Sequence, residues 1–220
     1  MGKGRYKTMM KTTTEKDVFR KVVAAEFGPL KPALCKFCLE LLDSVPHEFW
    51  EMPASSSGMH HPEFALGVGG LARHSLMVYR WLKTLLDANS QDMSDFAPAM
   101  YLAALFHDCC KHGLPGEVGE RTKFEHPLLS AKFVLDQADG FVKENKAFID
   151  STCDDEETFR SDIAMAVSCI ETHMGRFNTR KGSEVKLPTP KTALQYMVHL
   201  ADYCASRKFT TFDSDFFAKV

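Results

Sequence analysis

The chain has 220 residues, 45% hydrophobic and 25% charged, which is enough to bury a sizeable core and excludes a disordered or fibrous polymer. Its 27 Lys and Arg against 29 Asp and Glu leave a formal charge of -2, so bulk charge recruits no polyanion and any nucleic acid must meet a local patch. The basic start MGKGRYKTMMKTTTEK lacks the apolar centre of a signal peptide, and no apolar run nears the roughly 18 residues of a membrane span; a cytoplasmic protein with no membrane partner is expected.

Residues 14–27 and 31–44 carry the period of two amphipathic helices, with Phe19, Val22, Val23 and Phe27 on one stripe and Leu34, Cys38, Leu41 and Leu42 on the other. They read as an N-terminal helical elaboration, residues 1–45, packed on a core domain of residues 46–220. Cys35 and Cys38 form a CxxC, but no second such pair exists to complete a zinc ribbon. They are read as small core residues, and all seven cysteines as reduced thiols with no disulfide-linked partner. From Pro46 to Gly70 the chain is rich in Pro, Ser, Gly and His without a sustained period, so a long ordered loop is expected.

Beyond it, Leu71, His74, Val78, Leu82 and Leu85 follow helical steps and place His74 on the apolar stripe. The run AMYLAALFHDCCKHG is apolar as far as His107 and Asp108, and Gly113 supplies its stop signal. A further helix is expected to start near His126. In IAMAVSCIETHMG, Ile163, Ala166, Ile170 and His173 share a face, and in TALQYMVHLADYCASRK Leu194, Val198, Asp202 and Ala205 do so. Alternating strands are scarce; the one segment with hairpin character lies at residues 176–188, around the turn-like Asn178 to Gly182 stretch. The fold class is all-α.

Inward-facing polar side chains are costly unless they are hydrogen-bonded or bind a metal. One such histidine is usually a satisfied core residue. Here His74, His107, Asp108, His173 and Asp202 all lie on or beside apolar stripes, with His126 opening the helix between them. A mixed imidazole and carboxylate set suits first-row transition ions (Mn, Fe, Ni, Co or Zn) better than calcium or magnesium. Asp108 is the natural bridging ligand between two such ions, and a pair about 3.5–4 Å apart is suited to phosphoryl transfer by activated water.

In that order, His74, His107-Asp108, His126, His173, Asp202, and in the wording GGLARHS, AALFHDCCKHG, EHPLLSA, ETHMG and HLADYCASR, the chain resembles the HD superfamily of metal-dependent phosphohydrolases. It looks like HD hydrolases of bacterial and phage type, and similar wording occurs in the HD part of certain 3′-to-5′ exoribonucleases. The resemblance spans about Pro46 to Arg207. It implies an HD-type helical bundle holding two divalent ions, one by His74, His107, Asp108 and Asp202, the other by Asp108, His126 and His173. Members without the two middle histidines generally carry one metal. Cys110 stands where the common HDxGK wording has glycine, while Lys111 remains.

Around this set, Lys111 follows His107 by one helical turn, so it is assigned with Asp108 to catalysis and with His60, His61 and Arg176 to substrate binding. A solvated lysine and a surface histidine pair are the plainer readings. The segment carrying Arg176, Arg180, Lys181, Lys186 and Lys191 has Glu184 as its one acid and is the best local place for an anion. HGLPGEVGERTKFEH is at most a glycine-hinged lid, because it lacks a P-loop ending. Ser75 reads as a helix residue. The expected substrate is a phosphorylated small molecule, a nucleotide or a short single-stranded nucleic acid. Two other classes stay open: a mixed-valence di-iron oxygenase of HD type, and a non-catalytic ligand-binding module.

Overall fold

The structure, a computed structural model, describes residues 14–28, 30–58, 61–89, 92–152 and 155–209. Among them are eight α-helices and no strand: α1 (Glu15–Phe27), α2 (Pro32–Ser44), α3 (Glu48–Glu51), α4 (Gly70–Ala88), α5 (Ala97–Phe106), α6 (His126–Asp150), α7 (Glu156–Thr172) and α8 (Ala193–Ala205). The all-α expectation is met. At residues 176–188 no ladder forms; Leu187 N–H donates to the Asn178 carbonyl at 2.9 Å, and one such bond closes a loop rather than a hairpin.

Helix α5 is the axis of the bundle. Its sequence, APAMYLAALF, is apolar on every side, so it must be enclosed, and Pro98 through Phe106 are all buried. Helices α4, α7 and α8 pack on it, with α6 against α7 and α8 against α4. The flanking helices show one apolar stripe each, and their starts are specified locally. Thr14 with Asp17 and Thr192 with Gln195 form capping boxes for α1 and α8, and the Asp155 carboxylate caps α7.

The N-terminal pair shares this core. Phe19 meets Phe49 edge-on at 5.6 Å, and Phe37 meets Phe141 and Phe159 at 5.5 and 5.6 Å, joining α1 to α3 and α2 to α6 and α7. Cys38 is fully buried in the same cluster and Cys35 half-buried against it, as the core reading of the CxxC requires. The stretch expected as a loop from Pro46 to Gly70 contains α3 and a 3-10 turn at Glu63–Ala65. Phe49 and Ala65 supply the anchors, being buried where the surrounding pattern shows no period.

Arg73 ties this segment to the start of α4. Its guanidinium donates to the Phe64 and Leu66 carbonyls at 2.6 and 3.0 Å and meets Glu15 of α1 at 2.7 Å. That grip brings Gly70 so close to Ala65 that a Cβ would lie 2.3 Å from the Ala65 carbonyl oxygen. No helix of the described residues is long and apolar enough to cross a membrane. Gly70→Ala is expected to lower the stability to unfolding by about 2 kcal/mol, as overpacking against backbone does. Urea titration checks this; a change under about 0.5 kcal/mol would show that the contact relaxes freely.

Candidate metal centre

Three helices and the ends of two others deliver the six residues. His74 lies within α4 and Asp202 within α8; His107 and Asp108 follow the last residue of α5; His126 is the first residue of α6; His173 follows α7. All but Asp202 are at most 3% exposed, and the Asp202 side chain is 18% exposed.

Helix α5 stops at Phe106, before the His-Asp pair, rather than running on towards Gly113. Two competing hydrogen bonds account for this. The Ala104 carbonyl, which a continuing helix would offer to the Asp108 N–H, accepts from the His107 ring at 2.9 Å, and the Cys110 N–H donates to Ser130 Oγ at 3.1 Å. The chain then tightens through bonds from Cys109 to Phe106, Lys111 to Asp108 and Gly113 to Cys110. Ser130 belongs to α6, so the turn carrying Asp108 is held by its neighbour.

The imidazoles are oriented in a common way. His107 Nδ1, His126 Nδ1 and His173 Nδ1 each face the carbonyl three residues earlier, those of Ala104, Lys123 and Ile170, at 2.9, 2.7 and 2.7 Å. A carbonyl only accepts, so each Nδ1 carries the proton and, in the neutral ring, each Nε2 presents a bare lone pair. His126 Nε2 and His173 Nε2 face each other at 3.3 Å. Two lone pairs at that distance repel unless both nitrogens bind one cation. Burial, aided by the charge of His107, holds His173 down to about 3, so a proton is a poor candidate for that cation.

Asp108 sits between two groups of nitrogens. Its Oδ1 lies 3.0 Å from His126 Nε2 and 3.6 Å from His173 Nε2; its Oδ2 lies 3.4 Å from His107 Nε2 and 3.8 Å from His74 Nε2. The 3.0 Å approach is not aligned as a hydrogen bond, and Oδ1 and His107 Nε2 are buried without a hydrogen-bond partner among the described residues. Two triads capable of holding a metal ion result, His74–His107–Asp108 and Asp108–His126–His173, sharing one carboxylate. Unpaired buried donors converging in this way fit divalent transition ions.

Burial alone would raise the Asp108 carboxyl, but the charges of Lys111, His107 and His126 hold it well below the usual carboxylate range. Burial likewise opposes ionisation of Asp202, and its bond from His74 outweighs that. His107 is raised, because Asp108 overcomes the effect of burial. His74 departs from the common orientation: its Nε2 lies 3.0 Å from Asp202 Oδ1, and its Nδ1 has no partner among the described residues.

A cleft of about 570 Å³ opens on the cluster. Lys111 lines it, with Nζ 2.6 Å from Asp108 Oδ2. His61 also lines it, edge-on to His74 at 4.8 Å, and burial lowers its basicity to about 2. His60 lies outside the described residues. Arg176 is exposed and does not line the cleft; its guanidinium rests 5.0 Å from the Phe177 ring. Ser75 is buried in α4 away from the cleft, as its reading as a helix residue requires. The glycine-rich segment after Lys111 is pinned by backbone bonds from Gly119 to His112 and from Lys123 to Lys111.

The cleft also draws in Phe177, Arg180, His199, Tyr203 and Arg207. Of these only Arg180 stood out beforehand, within the basic segment. His199 and Ser206 lie three residues before and four after Asp202, so the period that turns Asp202 inward also marks them as its neighbours, while Tyr203 and Arg207 fall off that step. His199 further explains the glycine of ETHMG. Its Nδ1 meets the His173 carbonyl at 2.6 Å, and a Cβ on Gly175, which has φ +54°, would fall 2.3 Å from the His199 ring.

No family model matches the chain, and no curated protein or solved structure matches it. Fold and geometry together define an all-helical bundle with a buried His/Asp cluster able to hold metal ions. The purified protein loaded with Mn, Co or Zn is expected to bind two ions per chain, and His126→Ala combined with His173→Ala to bind one. Elemental analysis after gel filtration checks this; a double variant that still carries two ions would refute the shared-carboxylate arrangement.

Proposed function

We propose that the protein is a metal-dependent phosphohydrolase of HD type, cleaving a phosphoester at a dinuclear centre. One observation carries the reading: a buried carboxylate flanked by two sets of imidazole nitrogens underlies a cleft whose mouth carries arginines without acidic partners among the described residues. Arg180 and Arg207 line that cleft, and neither makes an ion pair with a carboxylate among the described residues. Guanidinium groups so placed favour phosphate oxygens, which they can grip by two bonds at once.

In this reading His74, His107, Asp108 and Asp202 hold one ion, and Asp108, His126 and His173 the other. Bound transition ions supply Lewis-acid activation of water and of a phosphoryl oxygen. The chain's own contribution is orientation. Backbone carbonyls fix three imidazoles, and Asp108 offers one oxygen to each side. The Lys111 ammonium, already 2.6 Å from Asp108 Oδ2, places a positive charge where a phosphate enters and a proton near its leaving oxygen. His61, neutral at physiological pH, serves as a hydrogen-bonding wall of the cleft.

The metal-loaded protein is expected to hydrolyse some members of a panel of phosphomonoesters, cyclic dinucleotides and oligonucleotides. Asp108→Asn should lower the rate by about 100-fold or more. Inactivity with Mn, Co, Ni, Zn and Fe across the whole panel would reject the reading, as would oxygen consumption coupled to a di-iron EPR signal. Binding of substrate that persists while Asp108→Asn changes no rate would point instead to a ligand-binding module.

A further inference from the structure

The mouth of the cleft is built from different chemistry than its floor. Phe177, in the 3-10 turn Gly175–Phe177, and Tyr203, on α8, hold their rings parallel to within 11°, with centroids 6.3 Å apart. Phe177 is 43% exposed, an unusual state for a phenylalanine on a cleft wall, and leaves aromatic surface open to the cleft. Arg207 lies over Tyr203, 4.2 Å from the ring centre. It is fixed there by Nε donating to the Tyr203 carbonyl at 3.1 Å and Nη2 to Ser206 Oγ at 2.9 Å. Arg176 flanks the pair from outside the cleft, 5.0 Å from Phe177 and 5.8 Å from Tyr203.

We propose that Phe177 and Tyr203 form a base-stacking subsite that selects phosphoesters bearing a nucleobase. The proposal rests on the phosphohydrolase reading of the same cleft. Each base has a flat π-face that stacks on aromatic rings whatever its identity, and a guanidinium stacked on one of those rings extends the column. A plain sugar phosphate has no such face. An exposed phenylalanine ring beside a half-buried tyrosine ring, with guanidinium groups alongside and leading into a cleft that ends at an anion-seeking floor, therefore matches a base, a sugar and a phosphate in sequence. A second depression shares Thr122 and Arg180 with the cleft and is lined by Lys123 and Lys181 as well as Glu125, a net basic surface for a further phosphate of a strand. The shared ligand chemistry is a nucleoside joined to the phosphoester, whether free or at the end of a single strand.

The test uses titration calorimetry on the metal-loaded Asp108→Asn protein and kinetics on the parent. The probes are adenosine 5′-monophosphate, ribose 5-phosphate, a trinucleotide, and a trinucleotide with an abasic terminus. Base-bearing probes should bind about 10-fold more tightly than their base-free counterparts. Phe177→Leu, which keeps apolar bulk without a π-face, should erase that difference by raising KM with kcat little changed, and Phe177→Trp should restore it. Unfolding curves that overlay the parent's would show that Phe177→Leu acts on the ligand rather than the fold. A trinucleotide preference that Lys181→Glu abolishes would assign a strand; equal affinity for mononucleotide and trinucleotide would assign a free nucleotide, and both support the subsite. Equal binding of base-bearing and base-free probes, or a preference that survives Phe177→Leu and Tyr203→Leu together, would overturn it. Ring-dependent binding with no turnover would retain the subsite and defeat the hydrolase, whereas turnover without ring dependence would do the reverse.

Discussion

A buried carboxylate between two sets of imidazoles is the constraint to which the rest of this molecule answers. Taking Asp108 out of water is costly by several kcal/mol in general, and only neighbouring positive charge and donors offset it. Lys111 provides one such charge at 2.6 Å. The enclosing bundle follows from the same need: α5 must end abruptly to aim the carboxylate inward, and Ser130 of α6 secures the turn that does so. A chain whose α5 continued smoothly would carry Asp108 on a different bearing.

The two triads are not prepared to the same degree. Asp108, His126 and His173 belong to a set in which both rings are aligned by carbonyls and already expose their lone pairs. On the other side His107 is aligned likewise, but His74 is engaged with Asp202 and must release that bond's proton before its Nε2 can take a cation. The site around His126 and His173 is therefore ready in advance, and the one around His74 forms by exchange. Differences in affinity and in pH dependence between the two positions follow from that contrast.

Much of this arrangement could be read in the residues. The stripes of α1, α2, α4, α7 and α8 carry the helical period, and the inward bearing of His74, His173 and Asp202 follows from it. Other features depended on partners distant in the chain. The end of α5 is set by Ser130, which local propensity cannot reveal, and Arg176 turned outward because Phe177 and Tyr203 offered its guanidinium a place to rest. Tyr203 and Arg207 lie one and five residues beyond Asp202, off its helical step, and a tyrosine and an arginine near a helix end resemble ordinary surface residues. Their meaning came from Phe177, which a separate turn brings alongside.

The spacing of the ligands has a consequence for how the centre comes into being. His74 and Asp202 touch across 128 positions of chain, and His126 and His173 across 47. Contacts this remote form late, after the intervening loops have closed. Until α8 docks, His74 and His107 lie in a partly assembled bundle without the Asp202 carboxylate, so completion of that half of the cluster and the final consolidation of the fold become one event. Late docking of α8 would then leave half of the cluster unbuilt in an otherwise folded bundle.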